Sequence, residues 1–86
     1  MLNSQVSFHH RLQSAFREAL ALPPNFDVSS IESRTLSAWD SVAHLQLVVA
    51  IEEAFGIELA PGDILDMQSY WAAVKILRGH GVATDD

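Results

Sequence analysis

A chain of 86 residues that is 49% hydrophobic can bury one small core, which excludes several large domains and overall disorder. Eleven acidic against five basic side chains give a formal charge of −6, which opposes a nucleic-acid backbone and favours partners with basic patches. Cysteine is absent, so disulfides and thiolate metal sites are excluded, and a cytoplasmic location is the expectation. No apolar run approaches the roughly 18 residues of a membrane span. Met1 to Arg11 lacks a basic stretch followed by an apolar one, so no secretory leader is expected. Neither a repeat nor a low-complexity segment is visible.

The first helix is expected over residues 4–20. Phe8, Leu12, Phe16 and Leu20 recur every four residues, with Ala15 and Ala19 beside them. Ser4 is placed to cap its start, and Pro23-Pro24 bars continuation. Burying Phe8 or Phe16 stabilises a fold by roughly 1.5–3 kcal/mol each. His9 and His10 do not converge on a metal, because adjacent helical residues point about 100° apart. His44 and His80 have no partner at ligand spacing, so all four histidines read as solvated or partly packed. Asn25 to Trp39 is a long connection whose apolar residues, Phe26, Val28, Ile31, Leu36 and Trp39, can pin it to the core. Trp39 itself reads as a packing residue.

The second helix, residues 41–55, has the clearest limits. Asp40 can accept from free N–H groups of the first turn at the positive end of the helix dipole, and Gly56 suits a left-handed exit. Ser41 then places its hydroxyl at the mouth of the helix, where backbone donors suit a phosphate. Leu47, Ile51 and Phe55 form one apolar row, bordered by Val48; Val42, Leu45 and Val49 form a second, more than a quarter turn away. The plainer expectation is a central helix packed on two neighbours. The sharper one leaves Val42 and Val49 partly exposed to dock a partner beside the serine.

Ile57 to Ala60 alternates like a short strand but has none to pair with, so an extended connector is expected. Pro61 suits the first position of a short helix over residues 61–66, with Asp63 near its start. Ser69 caps a last helix over residues 70–78, closed by Gly79 and Gly81, and residues 82–86 are expected to fray. The fold class is therefore all-α, a small four-helix bundle of three main helices and one short one, in a single domain over residues 1–86.

Asp40-Ser41-Val42 resembles the Asp-Ser-Leu motif of acyl carrier proteins. The likeness runs without a gap through Leu45, Leu47, Val48, Ile51, Glu52-Glu53 and Phe55 to Leu59, and more weakly over Val6 to Leu77. It implies that Ser41 receives 4′-phosphopantetheine from coenzyme A through a phosphopantetheinyl transferase, with Asp40 part of the motif. It implies a long ordered loop between the first two helices. It further implies partner recognition on the second helix, by Val42, Val49, Glu52 and Glu53, and a cleft for an acyl chain near Val48, Ile51, Ile64 and Met67. The implied partners are an acyl-loading ligase or transferase and downstream biosynthetic enzymes. Ala43 and Gln46 stand where carboxylates are frequent in the family. Trp39 stands before the Asp-Ser pair, as in stand-alone carriers of specialised pathways.

Two other readings compete. Asp40, Ser41 and His44 contain the residue types of a hydrolytic triad, but Asp40 adjoins Ser41 and cannot easily orient the far side of His44. A non-catalytic interaction module would use Val42, Leu45 and Val49 as its docking stripe and Ser41 as a mere helix-start residue. The chain is thus expected not to be an enzyme.

Overall fold

The computed structural model describes residues 7–84. The described residues form four α-helices, α1 (Phe8–Leu20), α2 (Ser41–Phe55), α3 (Pro61–Asp66) and α4 (Tyr70–Gly79). Among the described residues there is no strand. A single bridge joins Glu32 to Ser69. The small all-helical bundle expected from periodicity is the observed fold.

Local chemistry sets the helix limits. Asp40 accepts the Ala43 N–H through Oδ1 at 2.9 Å, and Ser69 accepts the Ala72 N–H at 3.0 Å. Gly56 takes the left-handed exit of α2 with φ of 65°. At α1 the capping residue is Ser7, which accepts from His10 N–H at 3.0 Å, so the helix starts at Phe8 rather than at residue 4. The expected cap Ser4 lies outside the described residues. At the other end α1 stops before the prolines, where Ala21 turns left-handed and the Leu22 N–H reaches the Arg17 carbonyl at 3.0 Å.

The core is one cluster. Leu12, Ala15 and Phe16 of α1 meet Ala43, Leu47, Val48 and Ile51 of α2, and Tyr70, Ala73, Val74 and Leu77 of α4 complete it. The Phe16 ring joins three parts of the chain, lying edge-on to Trp39 at 5.6 Å and tilted on Tyr70 at 5.4 Å. Tyr70 is fully buried, with its hydroxyl 2.6 Å from His9 Nδ1. Burial pushes its phenol up, against a hydrogen bond from Gln13 that lowers it.

The long connection is ordered as expected. Val28, within a 3₁₀ turn over Val28–Ser30, is buried with Ile31 and Trp39, while Phe26 and Leu36 pack at the edge of the core. After Gly56 the connector buries Leu59, whose N–H donates to Glu52 at 2.8 Å. The expected fraying after α4 is not seen at its start. Val82 packs on the core and its N–H reaches the Leu77 carbonyl at 3.1 Å, because Gly81 adopts a positive φ that turns the chain back. Residues 85 and 86 lie outside the described residues.

Leu47→Ala removes a side chain that is 0% exposed, so it should cost about 2–5 kcal/mol in urea unfolding, whereas Leu65→Ala, at a side chain 74% exposed, should change stability by under about 0.5 kcal/mol.

Candidate functional site

The α1–α2 contact sets which side of α2 faces outward. With Ala43, Leu47, Val48 and Ile51 turned into the core, the 3.6-residue period turns Ser41, Val42, Leu45 and Val49 out. Val42 is 63% exposed, Leu45 61% and Val49 51%, so the expectation of a helix packed on both apolar rows gives way to one with a bare row. α1 borders this bare row only through Glu18 and Ala19, at the edge of a groove.

Ser41 is the first residue of α2 and is exposed, and no described residue makes a hydrogen bond to its hydroxyl. It stands on the lip of a depression of about 430 Å³ lined by Ser33, Trp39, His44, Leu45 and Gln68. Leu45 also borders a second, apolar groove of about 510 Å³, formed by Val42, Gln46, Val49 and Ala50 of α2 against Glu18 and Ala19 of α1. Glu53 closes that groove at one end. The serine and the bare apolar row therefore share one continuous surface.

The two α2 glutamates part company here. Glu53 is exposed beside the groove. Glu52 is half-buried and holds the connector through the Leu59 N–H. Of the residues singled out for an acyl cleft, Val48, Ile51 and Met67 are buried and Ile64 packs against the same cluster.

Histidine placement was less legible. His44 Nδ1 lies 2.9 Å from Trp39 Nε1 and its Nε2 lies 2.8 Å from the Ile64 carbonyl, with the two rings stacked 5.9 Å apart. An indole N–H only donates, so Nδ1 is the acceptor and the ring proton sits on Nε2. Both nitrogens are engaged away from Ser41, and the Asp40 carboxylate caps Ala43, so these three residues are not wired as a triad. A buried indole always needs an acceptor, and His44 one turn on was the residue to ask about. The other pair, His80 Nε2 to Asp63 Oδ2 at 2.8 Å, spans 17 residues and left no sequence signal. Among the described residues no three His, Cys, Asp or Glu side chains converge as a metal site.

No described helix is long and apolar enough to cross a membrane. Compared with known families, characterised proteins and solved structures, the chain matches no family model, no curated protein and no solved structure.

The hydrogen bond from His80 holds the Asp63 carboxyl below its ordinary 3.8, and the Ala60 N–H adds to the effect. A depressed carboxyl favours the folded state above its unfolded value, and that gain is lost as pH falls below 3.8 through the lower folded value. Asp63→Asn should therefore flatten the acid limb of stability, read as the urea midpoint from about pH 5 down to pH 2.

Proposed function

We propose that the chain is an acyl carrier protein of a specialised biosynthetic pathway, not itself an enzyme. In the active site of a phosphopantetheinyl transferase the Ser41 oxygen attacks the pantetheine-bearing phosphate of coenzyme A: the new O–P bond forms as the pyrophosphate link breaks, adenosine 3′,5′-bisphosphate leaves, and the hydroxyl proton passes to a base of the transferase. The terminal thiol of that arm then carries an acyl or aminoacyl group as a thioester from a loading ligase or transferase to downstream enzymes in the cytoplasm. The single observation that carries this reading is Ser41 itself: an exposed hydroxyl to which no described residue makes a hydrogen bond, at the first position of a fifteen-residue helix capped by Asp40.

Further support comes from the surroundings. A transferase needs a reachable serine and a surface to recognise, and Val42, Leu45 and Val49 offer an apolar one beside it. Glu53 and Glu18 line the groove with negative charge in a chain of formal charge −6, which suits a partner bearing Lys or Arg. The engagement of both His44 nitrogens supports a non-catalytic role.

The exposed row also favours a second reading, a helical interaction module that docks partners through Val42, Leu45 and Val49 with no modification at Ser41.

Incubation with a broad-specificity phosphopantetheinyl transferase and coenzyme A should add one arm to the intact mass, and Ser41→Ala should abolish the addition. An unchanged mass, under conditions that modify a control carrier, counts against carriage. Val49→Asp places a charge in the bare row and should weaken partner docking while leaving the fold intact. Docking that survives Ser41→Ala but fails in Val49→Asp, in a chain that takes no arm, favours the interaction module.

A further inference from the structure

We propose that His44 is a positioning residue for the Ser41 site: its ring ties the Trp39 indole and the C-terminal end of α3 into one wall beside the serine. The reaction it serves rests on the carrier reading; its geometry does not.

The argument begins with α3. A six-residue helix leaves most of its backbone groups without an internal partner. None of its side chains is fully buried, so packing alone does not hold it. Other parts of the chain supply the missing partners. At its start, Asp63 accepts the Ala60 N–H at 3.2 Å and is itself paired with His80. At its end, Gln68 donates its side-chain amide to the Leu65 carbonyl at 2.8 Å and its backbone N–H to the Asp66 carbonyl at 2.9 Å. The Ile64 carbonyl is taken by His44 Nε2–H at 2.8 Å. Among the described residues this is the one hydrogen bond joining α2 to α3.

The tie continues on both sides. On the far ring nitrogen, Nδ1 accepts the indole N–H of Trp39, a side chain 5% exposed that would otherwise leave a buried donor unmet. Beyond α3, the Gln68 carbonyl accepts the Ser33 N–H at 2.8 Å, and the Ser33 hydroxyl donates to Gln68 Oε1. Trp39, His44, Ser33 and Gln68 all line the depression with Ser41 on its lip. Hydrogen bonds and short stretches of backbone thus link the first turn of α2, the end of α3 and the loop before Trp39. They set the shape of the wall that an enzyme meets when it approaches the serine. Preorganising such a surface lowers the ordering cost of binding, which appears in KM rather than in the chemical step.

Two substitutions separate the halves of the tie. The amide of His44→Asn can replace Nδ1 towards Trp39 but is too short for Ile64. His44→Gln reaches the Nε2 position and keeps a donor for the Ile64 carbonyl. The measurements are arm transfer to Ser41 by a broad-specificity phosphopantetheinyl transferase with coenzyme A, amide hydrogen exchange over residues 64–68, and thermal unfolding. His44→Asn should raise KM about tenfold with kcat near that of the unaltered chain, and speed exchange at those amides by a similar factor, the scale of one lost hydrogen bond. His44→Gln should bring the exchange back to that of the unaltered chain and recover most of the KM, the remainder being the lost Trp39 contact. A merely structural role predicts a lowered melting temperature in both variants and no change in KM. Unchanged KM and exchange in His44→Asn, or identical behaviour of the two variants, overturns the proposal. If the unaltered chain takes no arm, the carrier reading fails instead. Exchange and the imidazole ¹⁵N shifts then still decide the tie, and a proton found on Nδ1 overturns it.

Discussion

The contact of α1 with α2 decides the outward face of this protein. Leu12, Ala15 and Phe16 take up the Ala43, Leu47 and Ile51 side of α2, and every one of these six side chains is buried. A helix has one rotational setting at a time. Once that row is inside, Ser41, Val42, Leu45 and Val49 have no place to go but out. Four helices of this size cannot cover an apolar arc as wide as that of α2, and the bare row is what remains. The hydroxyl at position 41 is exposed for the same reason, so its accessibility is a consequence of core packing and not a separate feature of the loop before it.

A second constraint acts on α3, and it is polar. Apolar burial is non-directional and tolerates sliding, whereas hydrogen bonds to particular carbonyls fix a register. Met67 anchors the chain just after α3, but the helix itself is held by imidazole and amide groups from elsewhere in the sequence. Such a segment can open at lower cost than α1, α2 or α4, whose removal from the bundle would expose core side chains. Of the four helices α3 is thus the one held least by apolar burial, with Ile64 packed against the core from it.

What could be read in advance follows this division between apolar period and polar contact. The helix limits at Asp40, Gly56, Pro61 and Ser69 were legible because each depends on a residue and its neighbours three or four positions away. The core rows of α1 and α2 were legible from period alone. Ser7 was missed for Ser4 because both serines precede the same apolar series, and only the backbone settles which is the cap. The His44 and His80 contacts were not legible, since each depends on where α3 settles relative to distant elements. Exposure of Val42 and Val49 was one of two open outcomes, and Leu45 is exposed with them.

Electrostatics sharpens what the bare row can meet. Glu52, which the family resemblance pairs with Glu53 for recognition, accepts the Leu59 N–H through a carboxylate oxygen and so holds the connector. Glu53 is exposed and is joined across the groove by Glu18, a residue of α1 that no reading confined to α2 could have added. The rim is thus acidic on both helices while its floor is apolar. An apolar floor supplies affinity with little selectivity, and a charged rim supplies the selectivity by repelling acidic partners and steering basic ones. A partner that pairs an apolar anchor with flanking Lys or Arg satisfies both. Leu45 lines both this groove and the depression beside Ser41, so the apolar floor and the hydroxyl lie on one face.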